Sequence, residues 1–198
     1  MKASSFKELV EFIYSDYYRT HPHVPYRYNL KMALRLYKWG RKEWSFWFRC
    51  AQYKSWWQAF AIWRFRRISH QLLIEIPLKT DIGFGLYIGH PRCIVINEGT
   101  KIGNNVNLSQ FLSIGTNNAT PAVIGNNVYI GPMCCIVEDV HIGDNVTIGA
   151  GAVVVKDVED NATVAGVPAH VLNYDNPGRF VNNRFVRQNE ARISHNGS

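Results

Sequence analysis

Histidine is the side chain best suited to remove a proton from a hydroxyl group near neutral pH. The chain contains seven histidines among its 198 residues. A single histidine is more often structural than catalytic, so the position of each histidine in the sequence pattern is used to decide which one is a candidate for catalysis. His90 is distinctive because it follows Gly89 at a place where most equivalent positions carry a small polar residue, and because it adjoins an irregularity in a repeat. His90 is therefore the leading candidate for a general base.

The element that must position His90 is a six-residue repeat. Isoleucine, valine or leucine recurs at every sixth residue between Ile76 and Val154, with a two-residue slip before Ile96 and four extra residues around 117–121. Glycine follows the aliphatic residue in most units. A second small or apolar residue lies four places after it, at Val106, Val128, Val146 and Ala152. Repetition of this kind predicts a whole architecture rather than a single element.

A period of six matches neither an amphipathic helix nor a single strand. It matches a coil with three short flat faces, each one repeat long, whose aliphatic residues point inward. Asparagine, aspartate and glycine then occupy the corners, where left-handed backbone is best tolerated. Stacked coils bury one continuous aliphatic column, so the array is stable only as an array. Over residues 74–172 these repeats resemble the left-handed parallel β-helix of the hexapeptide-repeat acyltransferases.

Charge and composition divide the chain into three parts. Residues 1–73 carry fourteen Lys and Arg against four Asp and Glu, and their apolar spacing predicts helices near residues 6–20 and 29–37. Residues 74–172 form the predicted β-helix. Residues 173–198, rich in Asn and Arg, are expected to be an extended or disordered tail. The predicted fold class is therefore mainly β, a left-handed parallel β-helix preceded by a small α-helical region.

Residues 41–70 interleave aromatic and basic side chains, and all six tryptophans lie between Trp39 and Trp63. One interpretation is a helical pair in a membrane interface, with its cations on anionic lipid. The other is an aromatic face that packs on the first coil and on partner subunits. No nucleic-acid-binding motif accompanies the charge, so nucleic acid is not an expected partner. No apolar run reaches the length of a spanning helix or resembles a signal peptide, so we expect a cytoplasmic protein with, at most, peripheral membrane contact.

The serine O-acetyltransferase branch of this family gives the resemblance its detail. Residues 86–90, Leu-Tyr-Ile-Gly-His, match the segment around that branch's catalytic base, and Glu75 occupies the place of the carboxylate that orients it. Asp81 is a competing candidate for that carboxylate. The resemblance implies acetyl-CoA as cosubstrate, no metal, and a homotrimer with CoA between neighbouring β-helices. The residues that it implies for CoA are Gly131, Gly149, Ala150, Gly151, Lys156 and His170.

The acceptor site is where the sequence departs from the serine branch. That branch carries an acidic residue before the catalytic histidine and an Arg-His pair before a loop proline, whereas this chain has Gly89, and Ala119-Thr120 before Pro121. A serine acceptor carries an ammonium group and a carboxylate, and its pocket must supply groups that bind both charges. The differences resemble O-acetyltransferases of surface-polysaccharide assembly, so the sequence favours the hydroxyl of a nucleotide- or lipid-linked sugar. Serine O-acetyltransferase of cysteine synthesis is the alternative, while a non-catalytic scaffold and a zinc-dependent γ-type carbonic anhydrase are less favoured.

Overall fold

The computed structural model describes residues 2–117 and 120–187. Its first part is helical, with α1 at Phe6–Tyr18, α2 at Leu30–Gly40, α3 at Trp44–Gln52 and α4 at Gln58–Leu72. Two of these helices begin at a capping side chain. The Ser5 hydroxyl accepts the N–H of Glu8, and the Asn29 side chain accepts the N–H of Met32. The predicted helical N-terminal region is confirmed.

Short strands then wrap around one axis and form the three faces of a prism. Face 1 contains β1 (Ile74–Glu75), β4 (Ile94–Ile96), β7 (Ser113–Gly115), β10 (Cys135–Val137) and β13 (Val153–Val154). Face 2 contains β2 (Asp81–Ile82), β5 (Lys101–Ile102), β8 (Val123–Ile124) and β11 (His141–Ile142). Face 3 contains β3 (Tyr87–Ile88), β6 (Asn107–Leu108), β9 (Tyr129–Ile130), β12 (Thr147–Ile148), β14 (Thr163–Gly166) and β15 (Ala169–Asn173). Neighbouring strands pair in parallel, except that β15 folds back antiparallel on β14. The predicted parallel β-helix is confirmed.

The repeat positions fill the inside of the prism. The aliphatic first position is buried in coil after coil, for example at Ile82, Ile102, Ile124 and Ile142, although Ile88 is only half-buried. The smaller residue four places later is fully buried at Val106, Val128, Val146 and Ala152. Burying a side chain of this size contributes about 1.5–3 kcal/mol, so the column is the main source of stability in this part of the chain.

Asparagine builds the edge between faces 2 and 3, which we call the asparagine edge: Asn105, Asn127, Asn145 and Asn161. These residues have φ values of 56°, 56°, 58° and 66°, in the left-handed region. Each side-chain amide of the first three donates to the side-chain oxygen of the next, at 3.3, 3.1 and 3.1 Å. Left-handed backbone costs a residue with a Cβ about 1–2 kcal/mol, and the ladder of hydrogen bonds offsets part of that cost.

Replacing Asn127 by alanine is expected to destabilise the protein by about 2 kcal/mol. The variant loses both ladder hydrogen bonds and keeps a Cβ in left-handed backbone. Asn127→Gly loses the same hydrogen bonds without the backbone penalty, so it should recover about half of the loss. Urea unfolding measures both variants. Equal losses would show that the backbone conformation contributes nothing at this corner.

A buried ion pair fixes the helices to the first coil, and we call it the helix–coil clamp: Asp16 and Arg49. Arg49 Nε lies 3.0 Å from Asp16 Oδ2, with the two side chains 2% and 1% exposed. The Arg49 guanidinium also donates to the carbonyl oxygens of Ile82 and Gly83, at 2.8 and 2.6 Å. Asp16 in turn accepts the N–H of Leu86 at 2.8 Å. The clamp therefore joins α1, α3 and the first coil.

The aromatic segment divides into a buried and an exposed part. The buried part packs within the helical region: Trp44, Phe46, Trp47, Phe48 and Phe65. Trp56, Phe60 and Trp63 are 94%, 55% and 53% exposed. The Arg64 guanidinium lies over the rings of Trp47 and Trp63. Among the described residues, no helix combines the length and the apolar character needed to cross a bilayer. Packing therefore accounts for the buried half of the segment.

Residues 175–187 form an arm that runs back along the asparagine edge to α1. The N–H of Phe185 donates to the Asn105 side chain at 2.7 Å, and the Phe180 ring packs on Tyr129. Near the end of the arm, Arg187 pairs with Glu8 and Glu11 of α1. The arm therefore covers the asparagine edge. The rest of the predicted tail, residues 188–198, and residues 118–119 of the interrupting loop lie outside the described residues.

Candidate active site

His90 lies on a different edge, where each coil passes from face 3 to face 1. We call this the histidine edge: residues 89–93, 109–112, 131–134 and 149–152. His90 is exposed and follows β3 directly. Backbone hydrogen bonds stack the successive corners, since the N–H groups of Phe111, Met133 and Gly151 donate to the corner one coil earlier at 3.1, 3.0 and 2.8 Å. His90 therefore stands at the start of a continuous edge.

A column of left-handed residues runs along the histidine edge. Cys93, Phe111, Met133 and Gly151 occupy equivalent corners, with φ values of 53°, 58°, 61° and 70°. Phe111 and Met133 are 55% and 67% exposed, so the edge presents apolar side chains next to the candidate base. Sequence reasoning missed these two residues. The signal was present in the repeat register, which places them at the same corner as Gly151.

The small residues implied for CoA lie along this edge. Gly149, Ala150 and Gly151 form the last corner, and Gly131 belongs to the corner before it. A Cβ at Gly131 would come within 2.7 Å of the Ala150 nitrogen, so the close stacking of the coils is enough to require glycine there. A Cβ at Gly151 would meet no neighbouring atom within 4 Å, although its φ of +70° favours glycine. The corner therefore offers a smooth surface beyond Met133.

The two basic residues implied for the CoA phosphates are placed differently. His170 is exposed in β15, where it pairs with Ala165, and a Cβ at Gly149 would lie 3.0 Å from the Ala165 Cβ. Ala165 thus lies between His170 and Gly149 of the histidine edge. Lys156 is exposed after β13, on the opposite side of face 1 from that edge. Within one subunit, only His170 lies close to the small residues.

Glu75 and His90 are not hydrogen-bonded. Glu75 is exposed on face 1, where it pairs in register with Val95 and lines a groove of about 450 Å³ that also includes Ser113 and Cys135. No hydrogen bond or ion pair joins Glu75 to His90 within residues 2–117 and 120–187. Asp81, the competing carboxylate, is exposed at the start of β2 on face 2. The structure therefore leaves the expected base–carboxylate contact unmade.

A small cavity lies between the helical region and the first coil, beside His90. Its volume is about 180 Å³, below the 300–1,000 Å³ of pockets that enclose drug-sized ligands. The lining residues from the helical region include Trp39, Glu43 and Trp44, and those from the first coil include Tyr87, Gly89 and Pro91. Gly89 and Pro91 flank His90 in the chain, so the cavity reaches the residues on either side of the candidate base, although His90 itself does not line it.

Two carboxylates line the cavity, and they differ in how they are satisfied. Asp16 is paired with Arg49; burial raises the pKa of Asp16, and the Arg49 charge opposes that shift. Burial also raises the pKa of Glu43, which is half-buried. Glu43 precedes α3 without capping it through its side chain, and no hydrogen bond or ion pair joins that side chain to another described residue. Sequence reasoning missed Glu43, because nothing in the sequence around it marks a cavity.

The described part of the chain contains no group of three His, Cys, Asp or Glu side chains that could hold a metal ion.

Residues 121–156 match the family model described as bacterial transferase hexapeptide (six repeats). This segment therefore carries the transferase hexapeptide repeat. Among curated proteins, it is 34% identical to serine acetyltransferase of Staphylococcus xylosus over 120 residues, covering 59% of this chain and 55% of that protein. It is 35% identical to serine acetyltransferase 3, mitochondrial, of Arabidopsis thaliana over 116 residues, covering 56% of this chain and 30% of that protein. The chain therefore spans about half the length, or less, of these relatives.

Solved structures give the same comparison for the fold. Soybean serine acetyltransferase complexed with serine superposes with a TM-score of 0.67 at 25% identity, over 85% of this chain and 71% of that one. The prediction of a sugar acceptor in surface-polysaccharide synthesis is contradicted, because these relatives of the hexapeptide-repeat chain are named serine acetyltransferases. They favour the alternative stated from the sequence.

Proposed function

We propose that this protein transfers the acetyl group of acetyl-CoA to the hydroxyl of L-serine. The observation that carries the proposal is the similarity, over more than half of the chain, to proteins named serine acetyltransferases. A related solved structure is complexed with serine. The cavity beside His90 is consistent with a small acceptor, since its volume of about 180 Å³ is below that of pockets for drug-sized ligands.

In this proposal His90 is the general base. His90 removes the proton of the serine hydroxyl while that oxygen attacks the thioester carbonyl. The new C–O bond forms, the C–S bond breaks, and the proton passes from His90 to the departing CoA thiolate. The exposed position of His90 leaves both substrates free to approach the imidazole.

Acetyl-CoA is proposed to lie along the histidine edge, with its thioester at His90. Gly149, Ala150 and Gly151 would border the pantetheine arm, over the corner that begins at Gly131. His170 would meet the phosphates of the same molecule. Because Lys156 lies across face 1 from this edge, it would serve a CoA bound against a neighbouring subunit of a homotrimer.

Light scattering should therefore give the mass of three chains, and a monomer would contradict this arrangement.

Glu75 is proposed to orient the His90 imidazole once substrates are bound, since catalytic hydrogen bonds are often long in free enzymes and tighten in the complex. Glu75→Gln is expected to lower kcat at least about tenfold, less than loss of the base itself, with the KM for acetyl-CoA unchanged. Glu98→Gln is the matched control, because Glu98 is exposed beside the same groove and pairs with exposed Lys79. Equal losses in both variants would assign Glu75 a merely structural role.

The proposed function is tested by the release of free CoA thiol from acetyl-CoA, with and without L-serine. We expect serine-dependent release, with O-acetylserine as the product in mass spectrometry. Absence of serine-dependent release from a correctly assembled trimer would contradict the proposal and favour a non-catalytic scaffold.

A further inference from the structure

We infer that Glu43 binds the ammonium group of the acceptor, in the cavity between the helical region and the first coil. The inference rests on the proposed function and adds a specificity-determining residue to it. It concerns the charge that the sequence lacks at position 89, where this chain has glycine.

The cavity carries one carboxylate that nothing in the described structure neutralises. Asp16 is held by Arg49 at 3.0 Å and by the N–H of Leu86 at 2.8 Å, so its charge is answered within the protein. The Glu43 side chain makes no hydrogen bond or ion pair with any described residue, although it is half-buried. A partly desolvated carboxylate without a partner is costly and gains most from a cation. The cavity therefore selects for a positively charged ligand group.

The other walls favour the same ligand chemistry. Trp39, Trp44 and Tyr87 line the cavity with Glu43, and aromatic faces attract ammonium groups. The indole N–H of Trp44 donates to the Ser69 hydroxyl at 2.8 Å, so it does not donate a hydrogen bond to the Glu43 carboxylate. Aromatic walls around one carboxylate suit a small primary ammonium group.

The position of the cavity connects this ammonium site to the chemistry. Gly89 and Pro91 line it, and His90 lies between them in the chain. Gly89 lines the cavity without a side chain, and a Cβ there would make ordinary contact with the Tyr87 ring at 3.4 Å. An amino acid whose ammonium is held at Glu43 would then present its hydroxyl toward His90. Glu43 thus supplies, from the helical region, a charge that is missing from the coil.

Steady-state kinetics of Glu43→Gln test the inference. L-Serine is compared with 3-hydroxypropionate, which keeps the hydroxyl and the carboxylate but lacks the ammonium. We expect the KM for L-serine to rise at least about tenfold, the usual scale for losing a charge-assisted hydrogen bond, with the KM for acetyl-CoA unchanged. The preference of the wild-type protein for serine over 3-hydroxypropionate should fall by the same factor. Glu43→Asp should restore part of it.

Glu159→Gln is the control, since Glu159 is exposed in the last coil and contacts Tyr174 rather than the cavity. A change of less than about twofold in the KM for serine in Glu43→Gln would overturn the inference while the proposed function stands. Equal losses with serine and 3-hydroxypropionate would also overturn it, because ammonium recognition would then not be the cause. Calorimetry of L-serine binding to the wild-type protein distinguishes failure of this inference from failure of the proposed function. A wild-type protein that neither binds nor acetylates serine contradicts both proposals.

Discussion

Replacing His90 by alanine is expected to lower kcat for serine acetylation by at least about a hundredfold, the usual scale for losing a general base. The side chain is exposed, so its removal should leave folding almost unchanged. The proposed trimer and the proposed binding of acetyl-CoA should persist as well. Initial rates of thiol release give the loss of turnover, and light scattering with CoA titration gives the two controls.

His141→Ala is the matched control for this variant. His141 is also an exposed histidine of the β-helix, but it lies in β11 on face 2, away from the histidine edge. We expect His141→Ala to keep the wild-type rate. Near wild-type turnover in His90→Ala would refute the assignment of the base, and a similar loss in both variants would mean that neither histidine acts as the general base.

Replacing Arg49 by methionine is expected to lower the free energy of unfolding by about 3–5 kcal/mol. The change leaves the Asp16 carboxylate buried without its counter-charge, which is the costly way to break a buried ion pair. It also removes the donors to the carbonyl oxygens of Ile82 and Gly83. Urea unfolding followed by tryptophan fluorescence measures the loss.

The double variant Asp16→Leu with Arg49→Met should be more stable than Arg49→Met alone, because it leaves no unpaired buried charge. Arg66→Met, at an exposed position of α4, serves as the control and should change the unfolding free energy by less than about 0.5 kcal/mol. A loss below about 1 kcal/mol in Arg49→Met would show that the clamp does not hold the helices to the first coil.

The β-helix could be predicted from the sequence because its determinants are local and repeated. Each coil sets the same requirements for an inward aliphatic residue and a left-handed corner, so the pattern recurs along the chain. Ile82 and Val106 are buried and Asn127 has φ of 56°, as the repeat predicts. The two-residue slip before Ile96 also identified the coil that contains His90 as irregular. Ile74 pairs with Ile94, twenty residues later, whereas Cys135 pairs with Val153, eighteen residues later.

The cavity beside His90 could not be predicted, because its walls are distant in sequence and are brought together by tertiary contacts such as the helix–coil clamp. Glu43 precedes α3, and Tyr87 belongs to β3. No periodic pattern relates these two residues. The contact of Arg49 with Ile82 and Gly83 brings α3 to the first coil, and such tertiary contacts leave no local signal in the sequence.

The wrong expectation of a sugar acceptor has the same origin. It was based chiefly on the absence of charged residues at Gly89 and before Pro121, two places within the repeat domain. The helical region contributes a half-buried carboxylate, Glu43, to the cavity beside His90. A missing charge at one position of the chain does not exclude a charge supplied from another element.

A crystal structure with CoA and L-serine bound would test the central claim most directly. We expect the CoA sulfur near His90 at the histidine edge, the serine hydroxyl within about 3 Å of the His90 imidazole, and the serine ammonium at Glu43. Serine bound away from His90, or CoA bound along the asparagine edge in place of the arm, would contradict the account.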